Sequence, residues 1–478
     1  MANKWVAKVL AKSVLSQENG DNPLQTEVKE DLGTTPVASS ADAAIEIAQL
    51  KQDQEDQVLI SSLEEDIAEV EAIEEGLDDV IVAHDEIGEY KEAMESFIED
   101  GGMSKQTATM VRLGLQQSAN RIYMNYEHGA LESFDGSLQA TVLAMEEADG
   151  MLAKAWNAIK EFFKGIYNRV IGWFKKSTEA DKKNIKDVET KILQLKEAVK
   201  ANPDVAKESV VNTPSGAAAQ SEESAPEVPE EDKDSASKEG PKTFPVEVLK
   251  KLGEFGFIGG KGYIQYPNEQ VKIDATSTSA SIIHMTMVLF GKISDKTREI
   301  AKTIAERSAQ DRQVSKITSG LSSLLSGDNY KSEEVNGTIV ASPKSPLFGG
   351  IALRFTHADL NGGKLDTPLM VEAGTFVMEE PAEVQYDVAR AIEFFENIKK
   401  FTEESVEFKK HSEETIELIS KWLDSEESAE VDKDFDLEYT RYMIKSVTSL
   451  LGSGAMLKAQ VAFTKATRYC LAHIHAPK

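Results

Sequence analysis

A chain of 478 residues is longer than one hydrophobic core usually serves, so two or more structural units are expected. Hydrophobic residues make up 41%, enough for a sizeable core, while a formal net charge of −29 argues against the whole chain acting as a general nucleic-acid binder. A polyanion repels phosphate unless its basic residues are segregated. The one cysteine, Cys470, excludes an internal disulfide and suits a reducing compartment.

No stretch approaches the roughly 20 apolar residues that cross a bilayer, the longest candidate being SIIHMTMVLF at 281–290, so a soluble or peripheral protein is expected. Residues 1–20, MANKWVAKVLAKSVLSQENG, place Lys4, Lys8 and Lys12 along one side of an amphipathic helix and Trp5, Val6, Val9 and Leu10 along the other. The lysines interrupt any apolar run, so the segment reads as a surface helix or a docking peptide rather than a secretory signal. Residues 21–40 turn to Gly, Pro, Thr, Ser and acids, a tether.

The region 41–132 reads as acidic and helical. Leu63, Ile67, Val70, Leu77, Ile81, His84, Lys91, Met94 and Ile98 follow three-residue, four-residue or whole-heptad steps, a seam that packs on other helices. From 64 to 99 there are fifteen acidic residues and one basic residue, Lys91. Such a helix repels itself along its outer faces and needs a partner to be stable. Gly101-Gly102 stops it, a second helix is predicted over 104–126, and EHGALESFDG at 127–136 is a break.

Residues 133–201 contain no proline before the end of the helix and read as one long amphipathic helix. Its opening, AWNAIKEFFKGIYNRVIGWFKK at 155–176, packs six aromatic residues among five basic ones, with Glu161 as the single acid. Leu152, Trp156, Ile159, Phe163, Ile166, Val170 and Trp173 keep heptad spacing. Large rings each cover about 150–250 Å², and at about 25 cal/mol per Å² leaving them in water forgoes several kcal/mol per ring as an upper bound. The stripe therefore needs a cover: the acidic helices upstream, a lipid interface, or another copy of the chain, with direct DNA binding as a further reading. Trp156, Ile159, Lys160, Phe163, Lys164, Ile166, Arg169, Val170 and Trp173 are the candidate membrane or partner contacts. Farther on, Ile185, Val188, Ile192, Leu195 and Val199 resume the pattern out of phase, which predicts a kink or stutter.

Residues 202–243 hold five of the fourteen prolines and no aromatic residue, around SEESAPEVPEEDKDSASKEGP, the composition of a disordered acidic linker. Beyond it, 244–478 begins helically. KGYIQYP, VNGTIVA, GGIALRFTH and TPLMVEAGTFVM then read as strands between helical stretches at 279–326, 381–423 and 435–474, the last broken near Gly452 and Gly454. The predicted fold class is mainly α: long heptad-patterned N-terminal helices, a disordered acidic linker, and a helix-rich α+β C-terminal domain with a small antiparallel sheet.

Catalytic signatures are wanting. GFIGGKGYI lacks the first glycine of a phosphate loop and has Gly262 where Ser or Thr would meet magnesium, and NGGKLD fails likewise; both read as turns. LGSGAM sets Ser453 between glycines without a nucleophile elbow. Cys470, His473 and His475 lie within six residues but lack a recognised metal spacing and a fourth ligand. No enzyme activity, cofactor or metal is expected.

Three stretches, EAMESFIEDGGMSKQTATMVRLGLQQSANRIY, ALESFDGSLQATVLAMEEA and LAKAWNAIKEFFKGIYNRVIGWFKK, together resemble the internal head proteins, virion structural proteins of the capsid interior, of large tailed bacteriophages. The resemblance covers about 92–176 and rests on an acidic helical region, a glycine-containing break, an ESF-type junction and a helix rich in Trp, Lys and Phe. It implies processing by a prohead protease that cuts after Glu with a small residue two positions before it. Ala130-Leu131-Glu132 before Ser133 fits, as do Ala93-Met94-Glu95 and Ser16-Gln17-Glu18, so Glu132, Ser133, Glu95 and Glu18 are candidate processing residues. Glu132 is favoured because it falls in the predicted helix break, where a protease reaches extended backbone.

Residues 1–132 carry nine Lys or Arg and twenty-eight Asp or Glu, a net of −19, which leaves −10 for 133–478. The resemblance implies a protein packaged inside the capsid, made in the host cytoplasm, acting in head assembly or as an internal or ejected protein once the acidic region, a candidate propeptide, is removed. The partners it implies are capsid and core proteins and the prohead protease, with self-association and an anionic membrane as further candidates. The alternative reading is a membrane-active helical protein that lays its basic aromatic helix on a lipid surface.

Overall fold

The structure is a computed structural model that describes residues 40–122, 131, 134–204, 209–212, 244–273, 279–306, 330–335, 338–358, 369–382, 385–425 and 434–475. The chain forms two compact units, Met1–Val170 and Ile171–Lys478. The division falls inside a helix and not at residues 202–243.

In the first unit a long helix, α1 (Ser40–Glu99), ends at Gly101 and Gly102, whose φ values of 94° and 112° lie where only glycine sits without strain. Ser104 then caps α2 (Lys105–Arg121), its hydroxyl accepting from the Thr107 amide at 3.1 Å. After the break, Ser137 accepts from the Ala140 amide at 3.1 Å at the start of α3 (Leu138–Ala201). The helices predicted after residue 40 are therefore present among the described residues, and residues 134–137 are non-helical as the break requires, while the helix predicted over 1–20 and the tether up to residue 39 lie outside the described residues.

Antiparallel pairing of α1 with α2 is fixed by Glu86, which accepts from Ser118 at 2.6 Å and Arg121 at 2.7 Å. The Tyr90 ring occupies the space a side chain at position 114 would need, 2.1 Å from a Cβ built on Gly114. Ile87 and Met94 of α1, Ala108, Val111 and Leu115 of α2, and Ala144, Ala148 and Met151 of α3 share one core. The buried seam of α1 departs from the predicted one in the middle: Val80, Ala83 and Ile87 are buried, while Ile81, Lys91 and Ile98 are half-buried. The apolar run VIV at 80–82 offered two phases, and the structure takes the earlier one.

The second unit opens with the rest of α3, which runs on unbroken to Ala201, so no helix end marks the phase change. Ser209–Asn212 (β1), inside the segment expected to be a linker, is a strand that pairs antiparallel with Gln385–Asp387 (β8). Its two adjacent valines favour extended backbone. Residues 213–243 lie outside the described residues. Next come α4 (Val246–Glu254), β2 (Gly260–Tyr266), β3 (Glu269–Ile273), α5 (Ser279–Glu306), β4 (Tyr330–Val335), β5 (Thr338–Pro343), β6 (Ile351–Ala358) and β7 (Met370–Pro381). After β8 follow α6 (Val388–Leu423), α7 (Asp434–Leu451) and α8 (Gly454–His473).

Strands β2 to β7 form one antiparallel sheet of order β3-β2-β7-β6-β5-β4. Ile264, Tyr266, Ile273, Ala352, Phe376 and Met378 form an apolar cluster in the sheet. Beside the sheet, α5, α6 and α8 contribute Phe290, Phe394, Phe401, Phe408 and Phe463, which meet one another and Phe348 mostly edge to face at 5.0–6.5 Å. Mainly helical content with a small antiparallel sheet is thus the observed fold class. Two local readings are corrected. Gly260 and Lys261 belong to a strand, opposite Pro381 and Glu380 of β7, and not to a turn. The helix expected from 381 starts at Val388, because Asp387 caps it by accepting from the Arg390 amide at 2.8 Å. NGGKLD lies outside the described residues.

Candidate functional site

Leu152 at the head of the predicted stripe is half-buried, and every later apolar member is buried. Ile159, Phe163, Ile166 and Val170 are fully so, Trp156 is 5% exposed and Trp173 1%. Phe162, Tyr167 and Phe174 are buried as well, on a second side of the helix that heptad spacing did not capture. Phe163 and Tyr167 stack at 6.3 Å, one turn apart. The helix is therefore covered on a wide arc, like a helix inside a core, while a coiled-coil seam would be narrower.

In the first unit the cover includes α1. Arg169 of α3 pairs with Glu69 of α1, and Lys91 of α1 pairs with Asp149 of α3 at 2.8 Å. These two pairs run in opposite directions along the two helices, so α1 and α3 are antiparallel. The basic aromatic segment up to Val170 thus lies along the most acidic part of the chain. Lys160 is 9% exposed. Lys164 meets Glu161 of its own helix at 3.1 Å, a surface pair.

Trp173 belongs to the second unit, apart from the other eight predicted contacts. Its ring lies 5.9 Å from Phe174, and Lys409 Nζ is 5.7 Å from its centroid. From here to Ala201 the buried face of α3 changes character. Ser177, Asp181, Asn184 and Lys191 are buried between Phe174 and Ile192. Asp181 accepts from Lys409 at 2.5 Å and from Ser405 at 3.2 Å, and the carboxylate and the ammonium group are both almost fully buried. Asp187 pairs with Arg468, Glu189 with Lys399 at 2.6 Å and Lys196 with Glu396 at 2.7 Å. The predicted stutter is this polar interval: the apolar rhythm lapses because the helix docks on α6 and α8 through hydrogen bonds and charge.

At the end of that interface Lys191 Nζ lies 2.9 Å from His475 Nδ1, while His475 Nε2 is 2.8 Å from the Ala472 carbonyl. With Nε2–H donating to the carbonyl, Nδ1 accepts from the ammonium group. Burial lowers the Lys191 pKa to about 8, and burial together with the Lys191 charge lowers that of His475. His473 Nδ1 is 2.9 Å from the Tyr469 carbonyl, and burial raises the Cys470 thiol. Among the described residues no three His, Cys, Asp or Glu are placed to hold a metal ion, and no helix is long and apolar enough to cross a membrane.

Of the processing residues, Glu95 sits exposed within α1, 3.7 Å from Lys91. Glu132, Ser133 and Glu18 lie outside the described residues. Leu131, beside the favoured bond, is 5% exposed, and Gly136 just after it has φ 92°.

Residues 40–255 match the family model of the phiKZ-like phage internal head proteins. The match takes in α1 to α4 and stops at Phe255, before the six-stranded sheet, and the resembling stretch at 92–176 lies inside it. Over this segment the chain is similar to proteins described as internal to the phage head. No curated protein and no solved structure matches the chain.

Proposed function

We propose, taking residues 40–255 as an internal head protein segment, that the chain is packaged inside the capsid and that its acidic N-terminal region covers the basic aromatic helix during head assembly. The observation that carries this reading is the antiparallel register of α1 and α3, set by Arg169 with Glu69 and Lys91 with Asp149, over a fully buried Ile159–Val170 stripe. A cover joined to the rest of the chain through a helix break is removable by one cut. Processing after Glu132 takes away −19 of the −29 charges and leaves the aromatic stripe to find a new cover: capsid or core proteins, or an anionic membrane if the protein is ejected. The enzymatic role falls to the prohead protease, and this chain is its substrate.

Mass spectrometry of purified particles tests the reading. The expected species begins at Ser133. Abundant peptides spanning Glu132 and Ser133 from mature particles would exclude that cut, and absence of the chain from particles would overturn the virion role. A Glu132→Gln variant is expected to retain its N-terminal region in the particle.

A further inference from the structure

The polar interval of α3 contains a feature that the ion pairs leave unexplained. Gln460 of α8 is 3% exposed, and neither its Nε2 nor its Oε1 has a protein partner; Asn184 of α3 is 1% exposed, and its Oδ1 has none. Buried amides in folded proteins are almost always satisfied, by protein or by ordered water. Both residues line one small cavity, of about 10 Å³, together with Asp181, Ser405 and Thr467. A cavity of roughly 10–15 Å³ holds one water, provided that two to four polar groups surround it.

We propose that this cavity is a binding site for a single water molecule, which accepts from Gln460 Nε2 and donates to Asn184 Oδ1. The water completes a continuous polar seam, from the Asn184 amide through Asp181 to Ser405 and Lys409, along which residues 177–184 dock on α6 and α8. The seam sets the register of that docking. An apolar stripe tolerates a slip of one turn, whereas a slip of α3 by 5.4 Å would strand Asp181, Lys409 and both amides without partners.

A crystal structure of the full chain at a resolution that shows waters tests the site. Density within hydrogen-bond distance of both amides is expected. An empty cavity, or amides turned to protein partners, overturns the proposal. Thermal unfolding supplies an independent reading through Gln460→Leu, which removes one partner and leaves Asn184 buried and unpaired. The expected result is a fall in midpoint of roughly 2–4 °C, largely recovered in the Asn184→Leu, Gln460→Leu double variant. A rise in midpoint for Gln460→Leu alone means that the cavity is dry, and the proposal then fails. Should the variants not fold, the crystallographic result decides alone.

Discussion

Asp181 and Lys409 are the two charges with most to lose in the second unit. At 7% and 2% side-chain exposure the pair cannot turn to water, so removing one member leaves the other buried and uncompensated. Asp181→Ala is expected to cost about 3–5 kcal/mol in denaturant unfolding, and an Asp181→Leu, Lys409→Met double variant much less. Additivity of the two single changes would show that the pair is not coupled. Lys191 and His475 give a pH signature. Both have a pKa lower in the folded chain, so the unfolded chain binds more protons and stability rises with pH, for His475 below about 6.5 and for Lys191 between about 8 and 10.5. Replacing Lys191 by Met should flatten the upper rise; an unchanged profile would assign it to other groups. Of these residues only His475 stands out in the sequence, and there as a weak metal-ligand candidate beside Cys470 and His473. A periodicity search counts apolar positions, so Ser177, Asp181 and Asn184 register only as a lapse in the rhythm, and the partners of Asp181, Ser405 and Lys409, are more than 200 residues away.

At the level of the helices, two kinds of contact hold α3 to α1 and they differ in worth. Phe163 is fully buried, and Phe163→Ala is expected to destabilise the first unit by about 3–5 kcal/mol through the cavity it leaves. Arg169 and Glu69 are each about one-third exposed, and Arg169→Ala is expected to cost only about 0.2–1 kcal/mol. Urea unfolding of both variants checks the ranking; a larger loss for Arg169 would mean that charge, not packing, binds the helices. Several helix starts and stops were legible because they are local chemistry: Gly101 and Gly102 at positive φ, Ser104 at the start of α2, Gly452 between α7 and α8; the start of α6, set by Asp387, was not. The face each helix buries was less so. Ile81 and Val80 are equally apolar, and only the partner chooses between them. Strands β1, β3, β4 and β8 were missed because three to six residues with at most two β-branched side chains barely differ from loop composition.

For the whole molecule, the charge distribution gives the proposed cut after Glu132 its consequence. The full chain carries −29 and the product beginning at Ser133 would carry −10, with the 155–176 stretch no longer opposed by the fifteen acids of residues 64–99. Binding of both forms to anionic vesicles is expected to differ, with the particle-derived form binding and releasing as salt is raised past the range where the Debye length is about 10 Å. Equal binding by both forms would remove any masking role for α1. No binding by either would leave protein partners as the cover for the tryptophans. The acidic and basic segments were each evident in the sequence, and so was the need for a cover, but three candidate covers stood open there; Arg169 beside Glu69 chooses among them for the full-length chain.

The order of α1 and α3 along the chain also matters while the protein is being made. Synthesis is vectorial and proceeds at about 5–20 residues per second, so the acidic helix has left the ribosome seconds before Phe163 and Trp156 emerge. Helix formation and closure of a short loop take microseconds or less. Each aromatic turn of α3 up to Val170 therefore meets a waiting partner as it appears, and its apolar stripe is not left in water during synthesis. Were the two segments encoded in the opposite order, the aromatic helix would be exposed throughout the synthesis of its cover.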